Sequence, residues 1–598
     1  MIRLSPVFSS WALTLGLAAA PALAAPDAAG VPTTLSAAPT ALATVTPATI
    51  LTAEEKTAYR AIFAAIRAKD WTSAAAGLEA RPDGPLSAVA RAELILAKGS
   101  PKAEVSAITA TLTRAPELPQ APALLKLAAS RGATGLPALP AQHDFVRYAG
   151  ASKRVGASPT RSDAAAARLS ATVTPLLKQD QPAAAEALVE GAAGSLTAEA
   201  LTEWRQRVAW AWYQVGDDAA ARRVATLARG GTGEWLAQAD WVAGLAAWRS
   251  RDCAAAGDAF SAVASHARDA ETMAAGLYWA ARADTACQRP EKVQARLRSA
   301  ARLTETFYGM LAAESLGLAR PAADTATALR LADTQRIASL PNVRTAEALG
   351  EIGETALADQ LVRQQARIGA AADHGQLLAL AAKLQLPATQ VWLAQNGPSG
   401  ATLTAAARYP APAWAPVSGW RVDKALLFAH ALQESQFRAD AVSPAGARGL
   451  MQLMPGTARL IAKKRGEAAS DPSRLNDPAF AFEYGQYYLQ DIADRGGTGG
   501  LLPKVIAAYN AGPGRIPVWN ANSRAQNDPL LYIESIPYAE TRGYVTTVMR
   551  NYWMYQQQAG VAAASATALT QGLWPRFPGL PGKTALRIEA DGTATGTD

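Results

Sequence analysis

From about residue 52 to about 336 the chain is alanine-rich, with Leu, Trp and Val recurring at spacings of three and four. That spacing gathers apolar side chains on one face of a helix, and brief polar or glycine breaks such as Val215-Gly-Asp-Asp and Arg229-Gly-Gly-Thr-Gly separate one periodic stretch from the next. The expectation is helix after helix. Trp241-Val-Ala-Gly-Leu-Ala-Ala-Trp248 and Ala274-Ala-Gly-Leu-Tyr-Trp279 resemble each other loosely, with the rhythm of tandem helical hairpins but no strict period. Stacked hairpins build a curved superhelix, and the small residues let its helices approach closely. The Trp residues are expected mainly in the interfaces, since large aromatics at helical spacing fill such cores.

The N-terminal stretch has a different character. Residues 1–24 carry one basic residue, Arg3, then an apolar run and Ala22-Leu23-Ala24 before Ala25, the pattern of a secretory signal peptide. The apolar core is shorter than a membrane span and is interrupted by Pro21, and no cysteine follows the cleavage site. An exported, soluble, periplasmic protein is expected. Residues 25–50, rich in Ala, Pro and Thr and nearly without charge, read as a flexible linker. Removal of 1–24 takes the formal charge from +8 to +7, which suits an anionic partner. Lys and Arg are dispersed rather than clustered with aromatics, which argues against nucleic acid. The two cysteines, Cys253 and Cys287, flank two expected helices, 254–266 and 271–286, joined by a short break. An antiparallel pair brings them together, so a disulfide is expected in an oxidising compartment.

Residues 428–458 read FAHALQESQFRADAVSPAGARGLMQLMPGTA. The spacing predicts a helix from Asp423 to Arg438, on which Leu427, His430 and Ala431 precede Glu434 by seven, four and three positions and share its face. A carboxyl group in such surroundings loses hydration, which disfavours its charged form and makes it a proton donor near neutral pH. His430 and Glu434 are one turn apart, a spacing that suits a metal, but no third ligand, HExxH or paired-Cys pattern accompanies them, so no metal is expected.

Glu434-Ser435 with Phe437, Ser443, Gly446-Ala447, the run from Gly449 to Pro455 and Thr457-Ala458 resembles the signature of the soluble lytic murein transglycosylases. Two later segments fit the same family in the same order: Ala508-Tyr-Asn-Ala-Gly-Pro-Gly-Arg515, and Glu534-Ser-Ile-Pro537 running into Glu540-Thr-Arg-Gly-Tyr-Val545. The likeness is strongest over about 417–558, and Thr306-Phe-Tyr-Gly-Met-Leu-Ala-Ala-Glu314 extends it weakly upstream. It implies a mostly α protein: an α-superhelical domain at 51–337, a small helical linker domain at 338–408 and a lysozyme-like, goose-type catalytic domain at 409–575. Residues 576–598 are expected as a disordered tail.

The resemblance also implies a chemistry. Glycosidic cleavage needs a proton for the leaving oxygen and a group to meet the oxocarbenium-like carbon. In this family one carboxylate serves as acid and then as base, here Glu434, with the substrate's own C6 hydroxyl as nucleophile and a 1,6-anhydro-N-acetylmuramic end as product. The expected substrate is the glycan strand of peptidoglycan, cut from its ends, with no cofactor. Other cell-wall enzymes are expected partners, and the protein is expected to be a monomer. Ser443, Gln452 and Met454 occupy family positions lining the sugar groove. Tyr509 is expected with its hydroxyl against the reacting ring or beside Glu434. Glu540, at the head of a long helix, is read as a substrate-orienting residue, as a scaffold group paired with Arg542 or another cation, or as a second carboxylate. The alternatives are a hydrolytic muramidase using Glu434 and water, and a non-catalytic wall-binding scaffold.

Overall fold

The computed structural model describes residues 49–596 apart from 149, 162, 319–327, 330–331, 401–402, 404, 469–470, 526 and 590–592. The 1–24 leader and nearly all of the 25–50 linker lie outside the described residues.

The described chain is mostly helical, and its breaks are built from capping residues. Gly216 ends the Ala198–Val215 helix in the left-handed region, φ 88°, and Asp217 then accepts a hydrogen bond from the Ala220 amide to open the next. Asp252 and Asp269 do the same for Cys253–His266 and Ala270–Ala286. These two helices pack closely because Gly276 faces the neighbouring backbone: a Cβ there would lie 2.7 Å from the Ala264 nitrogen. Cys253 at the start of one helix and Cys287 at the cap of the other are joined in a disulfide with Cα atoms 5.6 Å apart.

Two hydrophobic cores organise the chain. One is shared by the first helices, through Tyr59, Phe63 and Leu112, and by the helices of 341–395, through Leu349, Leu361 and Leu393. The other joins the 164–315 helices, through Trp204, Phe260 and Trp279, to the C-terminal region, through Phe428, Tyr532 and Trp553. The two halves of the 51–337 segment therefore sit in different cores. A short antiparallel pairing, Val146–Arg147 with Asn396–Gly397, crosses between the sequence halves of the first. Trp241, Trp248 and Trp279 pack edge to face within the second.

A buried ion pair ties the helical stack to the C-terminal domain. Glu534 is fully buried, and Arg154 forks onto both its oxygens at 2.7 Å while the Tyr308 hydroxyl donates to Oε1 at 2.6 Å. Next to it, Ser535 Oγ and the Tyr213 hydroxyl are 2.7 Å apart.

The expected tail departs from its reading. Within 576–598, Ala585–Ile588 pairs antiparallel with Trp574–Pro575 and with Ala594–Gly596, and Trp574 is completely buried. Phe577 and Ala585 add further buried apolar surface, enough to hold a segment whose composition alone reads as disordered.

Candidate active site

Glu434 stands in the last turn of the Lys424–Ser435 helix, opened by Asp423, whose side chain accepts from the Ala425 amide. Six consecutive residues, Leu426 to Ala431, are buried, so this helix runs through the domain core rather than along its surface. It stops earlier than the apolar pattern suggests, because Gln436 and Phe437 both adopt left-handed backbone, φ 53° and 61°. Such conformations are uncommon for side chains of this size and are held by the tertiary packing around buried Phe437.

Glu434 is partly buried. Loss of hydration pushes its pKa up to about 7; the hydrogen bond from Tyr544 opposes this and the negative charge of Glu540 adds to it. Its place at the negative end of the helix acts in the raising direction too. Tyr544, on the Ala539–Gln558 helix, donates to Oε1 at 2.5 Å. Oε2 has no protein partner among the described residues. The Tyr544 oxygen is also 2.9 Å from His430 Nδ1, and burial pushes the His430 imidazole down to about 3, leaving it neutral.

The other expected residues divide by what they touch. Tyr509 is buried with its ring 4.6 Å from the His430 ring, but its hydroxyl donates to the Met451 carbonyl at 2.7 Å and not to Glu434. The phenol beside Glu434 is Tyr544, a residue of the third motif whose role is not legible in the sequence. Its signal is its position four after Glu540, on the helix that packs against the Glu434 helix. Met451 and Gln452 form a tight turn. Gln452, at φ 44°, donates from Nε2 to the carbonyls of Ala441 and Gly449 and keeps Oε1 for a donor. Gly449 has φ 73°, and a Cβ there would sit 1.8 Å from the Leu475 carbonyl oxygen. Ser443 Oγ accepts from the Ala447 amide at 3.0 Å and closes the Ser-Pro-Ala-Gly turn; its own proton stays free to donate. Met454 is 44% exposed at the start of the Pro455–Lys464 helix and offers a polarisable apolar surface.

Glu540 is exposed in the first turn of the Ala539–Gln558 helix. It does not pair with Arg542, whose guanidinium turns away to the Ile536 and Pro537 carbonyls and lies 4.4 Å over the Trp210 ring. Asn510 accepts from Thr541 Oγ1 at 2.6 Å, bracing the second motif against the third. Around Glu434 stand two phenols, a neutral imidazole and one exposed carboxylate. Such a site can deliver and retrieve a single proton.

Residues 415–531 match the family model described as the transglycosylase SLT domain. The soluble lytic murein transglycosylase of Escherichia coli strain K12 is 41% identical over 133 residues, 22% of this chain and 20% of that protein. The corresponding protein of Salmonella typhimurium strain LT2 is 39% identical over 137 residues, again 22% and 20%. The matched stretch therefore spans about a fifth of these curated relatives. Among solved structures, the 70 kDa soluble lytic transglycosylase of Escherichia coli aligns with 88% of this chain and 99% of its own, at 17% identity and a TM-score of 0.45. Over residues 415–531, therefore, this chain is similar to the transglycosylase SLT domain family.

Proposed function

We propose that the protein is a lytic transglycosylase of peptidoglycan, cutting the β-1,4 bond between N-acetylmuramic acid and N-acetylglucosamine. The observation that carries this reading is the state of Glu434: a carboxyl group raised to about 7, held through one oxygen, with the other unpartnered. The proton on Oε2 passes to the glycosidic oxygen as the bond breaks. The same carboxylate then takes the proton of the C6 hydroxyl as that oxygen closes on C1, giving a 1,6-anhydro end. The nucleophile is tethered to the reacting ring, so the step carries no cost for bringing in water. Gln452 Oε1, the Ser443 hydroxyl and Met454 supply an acceptor, a donor and an apolar surface for an N-acetyl sugar. The 41% identity over 133 residues to a protein named soluble lytic murein transglycosylase supports the substrate class. Among the described residues no helix is long and apolar enough to cross a membrane. We place the mature protein in the periplasm on the strength of the leader-like residues 1–24. We also propose action from strand ends, since the chain folds back to seat its first helices against residues 341–395.

The test is mass spectrometry of the muropeptides released from purified sacculi, with Glu434→Gln as control. Small anhydro-ended muropeptides that vanish with the variant are expected. Long oligosaccharides would overturn strand-end action. Reducing ends would make the enzyme a hydrolase, with Glu540, whose charge is felt at Glu434, as the partner carboxylate. No product from the wild-type protein would leave a wall-binding scaffold.

A further inference from the structure

His430 is a fully buried imidazole one helical turn before Glu434, and a chain of two hydrogen bonds links it to that acid through a single phenol. A tyrosine hydroxyl has one proton. If Tyr544 donates to Glu434 Oε1, its oxygen must accept from His430, which requires the proton on Nδ1. If the chain runs the other way, Glu434 holds its proton on Oε1, Tyr544 donates to His430 Nδ1, and His430 carries its proton on Nε2. The surroundings discriminate between the two. Nε2 is buried and has no hydrogen-bond partner among the described residues, so the second arrangement strands an N–H donor, whereas the first leaves only an unused lone pair.

The direction of the chain decides where the catalytic proton resides. With Tyr544 donating to Oε1, a protonated Glu434 carries its hydrogen on Oε2, the oxygen with no protein partner among the described residues. With the chain reversed, the proton is held inside the protein. Resting on the reading of Glu434 as the acid, we propose that His430 is a positioning residue: as the Nδ1–H tautomer it donates to Tyr544, commits that hydroxyl to Glu434 Oε1, and keeps the catalytic proton on Oε2.

The neighbours leave this arrangement intact. From the Leu502–Ala511 helix, Tyr509 lays its ring on the imidazole and commits its hydroxyl to Met451. From the Pro478–Ala493 helix, Tyr488 reaches only Tyr509, at 5.4 Å between rings. From the Ala539–Gln558 helix come Tyr544 itself and Glu540, whose negative charge acts on Glu434. Burial holds Tyr509 and Tyr544 well above the usual phenol range, so both stay hydrogen-bond donors across the working pH. The imidazole, too, stays neutral, so the device is a fixed tautomer rather than a titrating switch.

Two measurements on the full chain test this. The chain has four histidines, so 15N NMR of histidine-labelled protein resolves each tautomer, and His430→Asn identifies the missing signal. The Nδ1–H form is expected for His430; the Nε2–H form would overturn the proposal without any reference to turnover. Second, His430→Leu removes the donor while leaving an apolar side chain among Leu426, Leu427 and Phe428. Its kcat should fall about tenfold, the effect of one hydrogen bond, with KM little changed. Its alkaline limb should move to higher pH, because Tyr544, with no donor behind it, is no longer committed to stabilising the charged form of Glu434. His430→Asn, whose amide nitrogen can replace Nδ1, should recover to within about threefold of wild type. An unshifted limb at wild-type rate would overturn the proposal, as would a downward shift, the mark of a loosened and rehydrated pocket. A wild-type chain that releases no product would instead overturn the reading of Glu434 as the acid, while the tautomer still decides the direction of the hydrogen-bond chain.

Discussion

Glu434 is kept in a condition that favours its neutral form, and that condition has a cost to the fold. A carboxyl group whose folded pKa is raised contributes most to stability below its unfolded value, and the contribution is lost as pH rises through the folded value. For Glu434 that window runs from the ordinary 4.5 up to about 7. Allowing for its partial exposure, the loss amounts to about 2 kcal/mol. Glu434→Gln should therefore match wild type in thermal stability near pH 4 and exceed it by about 2 kcal/mol near pH 8, as read from melting curves across pH. Equal stability at both would show that the carboxyl is not desolvated in the free protein. Activity should fall as pH rises through about 7, since the first step needs the protonated acid. Glu540→Gln should move that limb downward, by removing a nearby negative charge.

At the scale of elements, the helix bearing Glu434 was legible from its apolar spacing, but its end was not. Spacing alone runs on to Arg438, whereas the left-handed pair Gln436–Phe437 stops the helix beside the acid. No local preference of Gln or Phe announces that conformation. Glycine is a clearer sign, because only a residue without Cβ fits at Gly449, facing the Leu475 carbonyl at positive φ. Gly449→Ala should destabilise the C-terminal domain by more than about 3 kcal/mol, seen as a lower denaturation midpoint and loss of soluble protein. An alanine variant with wild-type stability would show that the turn can rearrange. The strands at 574–596 were invisible for a related reason: their burial comes from partners contributed by distant segments, not from any periodicity of their own.

Across the whole molecule, the 164–315 helices and the C-terminal domain share one hydrophobic core, and Arg154, in the segment leading into those helices, is pinned on Glu534. Removing one member of a buried pair leaves an uncompensated charge, so Arg154→Ala should cost about 3–5 kcal/mol in chemical denaturation. Replacing both with apolar residues should recover much of that loss. If Arg154→Ala unfolds like wild type, Glu534 is satisfied by Tyr308 alone. Sequence by itself determined the helical class, the breaks between helices, the cysteine pair and Glu434 with its apolar face. These follow from neighbours three and four residues away and from capping chemistry, which are local. Tertiary structure alone decided that Tyr544 rather than Tyr509 meets Glu434, that Arg542 turns from Glu540 to Trp210, and that the 51–337 segment is divided between two cores. Each of those outcomes depends on which of several chemically equivalent side chains is brought within about 3 Å by helices distant in sequence, and spacing along the chain carries no record of that distance.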